Sequence, residues 1–193
     1  MVSATVEVMP SDLRPFWLFA LRETAISGCV SFVTLYLIYR NGEPWKQFGF
    51  VRPGLLDVGL GLLLFWSADL LFPFMTGWLA PDSGLGARWR HFPRPEQPVE
   101  YALMILWCGV SDFGQELVTR AYLVTRFEQL LKSKAVAVLL SAVLFAAYHT
   151  YQGPIGVAGS LGMGIVYGIA FLCVRRIWPL AIGHALYNIV YFW

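Results

Sequence analysis

The apolar residues of this chain fall in six blocks. Each is close to the roughly 20 residues that a helix needs to cross a hydrocarbon core about 30 Å thick. The blocks run from about Phe16 to Tyr39, Leu55 to Leu79, Tyr101 to Thr125, Ala135 to Tyr151, Ile155 to Val174 and Ile177 to Trp193. Polar residues interrupt three of them: Arg22 and Glu23 in the first, Asp69 in the second, and Asp112, Glu116 and Arg120 in the third. Gly and Pro mark the joins at Asn41-Gly42, Pro53-Gly54 and Gly153-Pro154, as expected where helices stop and turn. The longest polar stretch, Pro81 to Glu100, holds four prolines and reads as a loop outside the membrane. No internal repeat or low-complexity tract is apparent. The pattern predicts an all-α polytopic membrane protein with about six transmembrane helices in one bundle.

Composition narrows the class further. Hydrophobic residues make up 58% of the 193 residues and charged residues 13%, with a mean hydropathy of +0.60. Soluble domains carry about 25% charge, so a soluble globular protein and a disordered tail are disfavoured. A net charge of +2 offers no basic field for nucleic acid. Cys29, Cys108 and Cys173 lie far apart in apolar stretches, without metal-ligand spacing, and are expected to be buried as small apolar residues. The first fifteen residues show no charged start followed by an apolar run and a cleavage site, so no cleaved signal peptide is expected. Arg40, Lys46, Arg52, Arg126, Lys132, Lys134, Arg175 and Arg176 fall in alternate joins, opposite Arg14, Arg88, Arg90 and Arg94. The excess of positive charge predicts that the first group faces the cytoplasm, with both termini outside. In the fifth block, Gly156, Ser160, Gly164 and Gly168 recur every fourth residue, a stripe that predicts close helix packing.

The intramembrane polar residues carry the functional signal, because each costs several kcal/mol, roughly 2.5–3.5 for Arg, Lys or Asp, on insertion scales. Glu116 and Arg120 are four apart and share a helix face, with Asp112 one turn earlier. A structural ion pair is one reading of this face. His149 ends the fourth block, and His184 and Asn188 stand one turn apart in the sixth. Glu116 lies 17 residues before Ser133 and His149 16 after it. Both therefore sit about 25 Å along antiparallel helices from a shared turn. A carboxylate and an imidazole at one depth can activate water, and a second His with an Asn can stabilise an oxyanion. Two His and a Glu are also a zinc set, though no HExxH is present. Asp69 is expected to find a polar partner in the bundle, with Arg22 the candidate, and Asp57 is expected at the interface. A small proton-coupled transporter would also use intramembrane Asp, Glu and His, but the chain lacks the repeat such folds often carry.

The segments Gln115-Glu116-xxx-Arg120, Phe145-xxx-His149 and His184-xxx-Asn188 resemble, in order and separation, the three motifs of the CPBP family. These are the CAAX proteases and bacteriocin-processing enzymes, also called Abi proteins, whose pattern is EExxxR, FxxxH and HxxxN or HxxxD. Arg120-Ala121-Tyr122-Leu123 extends the likeness. The resemblance divides the chain into residues 1–100, with N-terminal spans and the polar loop, and residues 101–193, a CPBP/Abi-like core. It implies an intramembrane endopeptidase acting on a hydrophobic or membrane-associated peptide or protein in the bilayer, with no nucleic acid involved. A multi-pass protein of a bacterial cell membrane is the expected setting. The first motif glutamate and the motif-two histidine activate water, His184 and Asn188 form the oxyanion hole, and the second glutamate and the arginine organise the site. No cofactor is expected, although older descriptions of the family as metalloproteases keep zinc in view.

The first glutamate of the pattern is Gln115 here, and an amide is no base near neutral pH. The catalytic set expected in this chain is therefore Glu116, His149, His184 and Asn188, with Gln115 and Arg120 at the first-motif and orienting positions. Three explanations fit Gln115. Glu116 or Asp112 takes over as base, the chain binds a peptide or confers bacteriocin immunity without cleaving, or the position was altered to retain substrate. Takeover by Glu116 needs a rotation or a relaying water, because adjacent helical side chains point about 100° apart.

Overall fold

The computed structural model describes residues 15–79 and 93–192, and those residues are helical apart from short joins. The expected leader-free start, Arg14, Arg88, Arg90 and most of the proline-rich loop lie outside the described residues. Helix α1 spans Phe16–Arg40, α2 Leu55–Leu79, α3 Pro98–Glu116, α4 Thr125–Leu131, α5 Lys134–Tyr148, α6 Gly153–Val174 and α7 Trp178–Phe192. The all-α expectation holds, and the helices fall where the apolar blocks do. Among the described residues, Phe16–Arg40 and Thr150–Val174 are long and apolar enough to cross a membrane.

The third block departs from expectation in length and in form. Residues 117–124 are π-helical and join α3 to α4 without a break, giving one rod from Pro98 to Leu131. The wider turn shifts backbone partners, and side chains from elsewhere meet the exposed carbonyls. Ser141 of α5 donates to the Thr119 carbonyl at 2.6 Å. The charged end of the rod extends past Thr125 because its charges are paired. Arg126 bonds Glu43 and stacks over Phe48 and Tyr122, and Glu128 bonds Arg175. The bonds from Arg126 and then Gln129 hold the Glu43 carboxyl below the usual range. This tie is therefore complete at neutral pH and weakens as acid protonates the carboxylate.

The joins carrying the positive charges meet at one end of the bundle. Gly49, at φ +81°, accepts from Ile177 N–H, and a Cβ there would stand 2.9 Å from that nitrogen. Only glycine fits both the left-handed backbone and the contact. Asp57 is buried at 1% exposure under Arg176, which bonds both its carboxylate oxygens and the Arg52 carbonyl. Asp57 thus closes this end of the bundle from within.

Helix α5 packs along α6, α2 along α7 and α1 along α3. The small-residue stripe is used in part. A Cβ on Gly164 would stand 2.9 Å from Ala142 Cα, and one on Gly168 2.9 Å from Val138, whereas one on Gly156 would first meet Gln152 of its own segment. Gly164→Leu is expected to destabilise the bundle by about 1–3 kcal/mol, measured by thermal unfolding, because the obstructing Ala142 atom is backbone. A second close crossing, between Gly61 of α2 and Gly183 of α7, had no periodic signal in the sequence.

The outward faces are strongly apolar: Phe32 is 71% exposed, Leu70 69% and Leu63 65%. Cys108 is buried, but Cys29 and Cys173 are exposed, contrary to the expectation of burial. Both lie on helices apolar all round, whose inward face cannot be read from hydrophobicity. Asp69 accepts from Tyr191 rather than Arg22, and Arg22 pairs with its neighbour Glu23 at 3.6 Å. Tyr191→Phe leaves the Asp69 carboxylate without that donor and is expected to cost about 1–3 kcal/mol, read as a lowered unfolding temperature.

Candidate active site

The first-motif segment lies where α3 passes into its π-helical continuation, so Gln115 and Glu116 sit at the change of winding. Such insertions are frequent at functional sites. Glu116 and Arg120 expose no surface. Arg120 Nη1 donates to Glu116 Oε1 at 3.2 Å and to Thr119 Oγ1 at 2.6 Å. Its guanidinium lies 4.1 Å from the centre of the Phe145 ring and 5.8 Å from that of Tyr167. An arginine cannot shed its charge in a protein, so carboxylate and ring faces replace the water it has lost.

Helix α7 reaches the same cluster. His184 Nδ1 lies 2.8 Å from Glu116 Oε1 and His184 Nε2 lies 3.8 Å from Asp112 Oδ1. Asn188 Nδ2 donates to Asp112 Oδ1 at 2.8 Å. A carboxylate oxygen bonded by an arginine is an acceptor, so the proton of that Glu116–His184 bond sits on Nδ1. Gln115 Nε2 donates to Ser111 Oγ at 3.3 Å and to Asp112 Oδ1 at 3.4 Å.

His149 caps the end of α5 and is 4% exposed. Its Nδ1 lies 2.8 Å from the Phe145 carbonyl. Since a carbonyl only accepts, Nδ1 carries the proton of this bond. The ring approaches Phe145 at 4.5 Å, and Phe145 lies 5.9 Å from His184. Hydrogen bonds thus join Gln115 and Asn188 through Asp112, and Arg120 and His184 through Glu116, while His149 stands beside them across the Phe145 ring.

Phe145, the first residue of its motif, is also the ring beneath Arg120, while Tyr167 and Thr119 had no signal in the spacing. Tyr167, fully buried on α6, faces Arg120 and, at 6.1 Å, His184, yet stands among apolar residues like any core aromatic. Thr119 holds Arg120 from the next position along the chain. Among the described residues, no group of three or more His, Cys, Asp and Glu is arranged to hold a metal ion, and Glu116 Oε1 is already engaged by Arg120 and His184.

A cavity of about 380 Å³ lies between α1, α3 with its continuation, and α5, within the usual size of ligand sites. Its walls include Ile26, Val30, Val118 and Leu144, with Ser111, Gln115 and Thr119 along one helix face. Ile26, Val30 and Leu144 are each nearly half exposed, so its rim faces the outside of the bundle. Gln115, half-buried, lines this cavity, whereas fully enclosed Glu116 points to Arg120 and α7. The divergence of these two neighbours follows from the helical turn.

No curated protein and no solved structure gives a significant match to the chain. The family model of type II CAAX prenyl endopeptidase Rce1-like proteins matches residues 97–190. The match begins at the residue before α3 and ends within α7, so it encloses every residue of the cluster. Residues 97–190 of this chain are thus similar to the type II CAAX prenyl endopeptidase Rce1-like family.

Proposed function

We propose that the chain is a multi-pass intramembrane endopeptidase that hydrolyses peptide bonds of hydrophobic or membrane-associated peptides. The observation that carries this reading is the gathering of Glu116, His184, Asn188 and His149 from three helices of the family segment at one place. In this reading Glu116 and His149 activate a water. Glu116 Oε2 is a buried oxygen without a protein partner, and the His149 imidazole is the second general-base candidate. The water oxygen attacks the carbonyl carbon, and the accepted proton passes to the leaving amine. Asn188 donates to the developing oxyanion. With Nδ1 committed to Glu116, Nε2 is the nitrogen of His184 left to donate to the oxyanion. Arg120 holds the Glu116 carboxylate in place.

Alanine at Glu116, His149 or His184 is expected to lower cleavage of an apolar reporter peptide by about 10²–10⁴-fold. Undiminished cleavage in all three variants would remove the assignment. A second reading, peptide binding or immunity without cleavage, is favoured by Gln115, since an amide occupies the first-motif position at the cavity wall. That reading expects peptide binding and protection to survive His149→Ala, and is lost if they do not.

A further inference from the structure

Asp112 lies at the centre of the polar cluster, yet the motif chemistry gives it no part. It is 1% exposed and stands one turn before Glu116. Its Oδ1 accepts from Asn188 at 2.8 Å and from Gln115 at 3.4 Å, and its Oδ2 has no protein partner. Both donors are primary amides, whose oxygen and nitrogen ends match in shape and oppose in chemistry. An ionised carboxylate accepts and never donates, so it decides which end of each amide faces it. The nitrogens of Asn188 and Gln115 turn toward Asp112 and their oxygens turn away.

For Asn188 this sets a second direction. Its Nδ2 carries two hydrogens in the plane of the amide. One is taken by Asp112, and the plane then fixes where the other points. Gln115 gains a role from the same contact, because an amide donates to Asp112 where an ionised glutamate would repel it. We infer that Asp112 is a positioning residue that locks the side-chain amides of Asn188 and Gln115 in one orientation and so holds the remaining Asn188 N–H as the oxyanion donor. The oxyanion part rests on the peptidase reading; the locking does not.

The chain has two asparagines, Asn41 and Asn188, which makes the test direct. In the full chain, reconstituted in nanodiscs and labelled with ¹⁵N-asparagine, the two Asn188 side-chain hydrogens should exchange at rates that differ at least tenfold. Asp112→Ala should remove that difference and leave the Asn41 signals unmoved, with Asp112→Asn falling between. Equal exchange of the two hydrogens in the parent chain, or an unchanged Asn188 in the alanine variant, overturns the inference. The parent measurement decides it even if neither variant folds. With an apolar reporter peptide, Asn188→Ala should lower kcat more than it raises KM, and adding Asp112→Ala should cost less than a further twofold. A full additional loss overturns action through Asn188. Parental cleavage by Asn188→Ala removes the oxyanion role, and with it that half of the inference, while the exchange rates still decide the locking.

Discussion

Arg120→Leu is expected to lower the stability of the bundle by about 3–5 kcal/mol, the range for breaking a buried ion pair by removing one partner. The size follows from what the guanidinium touches. It bonds Glu116 and Thr119, lies over the Phe145 ring, and exposes no surface. Its removal leaves the Glu116 carboxylate enclosed with His184 as its remaining partner. Arg120→Lys should rescue little, since an ammonium lacks the planar face that stacks on Phe145. Arg126→Leu is the comparison. Arg126 and its partner Glu43 are 17% and 28% exposed, and part-exposed pairs contribute about 0–1 kcal/mol. Thermal unfolding of the three variants measures the difference, and equal losses at the two positions would refute the account of Arg120.

Gln115→Glu puts a second carboxylate beside Glu116, and a gain in peptide cleavage of about 10²–10⁴-fold, the usual contribution of a positioned general base, would move the base from Glu116 to residue 115. Residue 115 lines the apolar cavity beside the cluster, so a carboxylate there meets a bound peptide, whereas Glu116 is turned to Arg120 and α7. The gain should come with a loss of heat stability. The new carboxylate stands where the Gln115 amide now donates to Asp112, and like charges at that spacing oppose each other. Cleavage and unfolding temperature measured on parent and variant separate the outcomes. A faster, less stable variant identifies Gln115 as the lesion in the base. Unchanged cleavage by an active parent assigns the base to Glu116. No cleavage by either protein favours the binding reading.

Much of the architecture was open to reading before any fold was known. Helix positions followed from runs of apolar residues, and their ends from Gly, Pro and charged joins. The polar residues of the cluster stood out because each interrupts an apolar run at a cost. The tight α5–α6 contact followed from the spacing of Gly164 and Gly168.

What the sequence left open is the azimuth of each helix. Where α1, α2 and α6 are apolar on most sides, hydrophobicity carries little direction. Cys29 and Cys173 therefore lie outside against expectation, Asp69 finds its polar partner in Tyr191 and not in the candidate Arg22, and the Gly61–Gly183 crossing has no periodic signal. The π-helical stretch from Leu117 to Val124 and the rings around Arg120 depend on neighbours brought from α5 and α6, so no local pattern encodes them. Chain order alone determined that this protein is all-helical and which few polar residues its helices must hold. Tertiary packing decided that Glu116 turns inward to Arg120 and His184 while Gln115 faces the cavity, because chain order sets the angle between neighbouring side chains and not which helix each one meets.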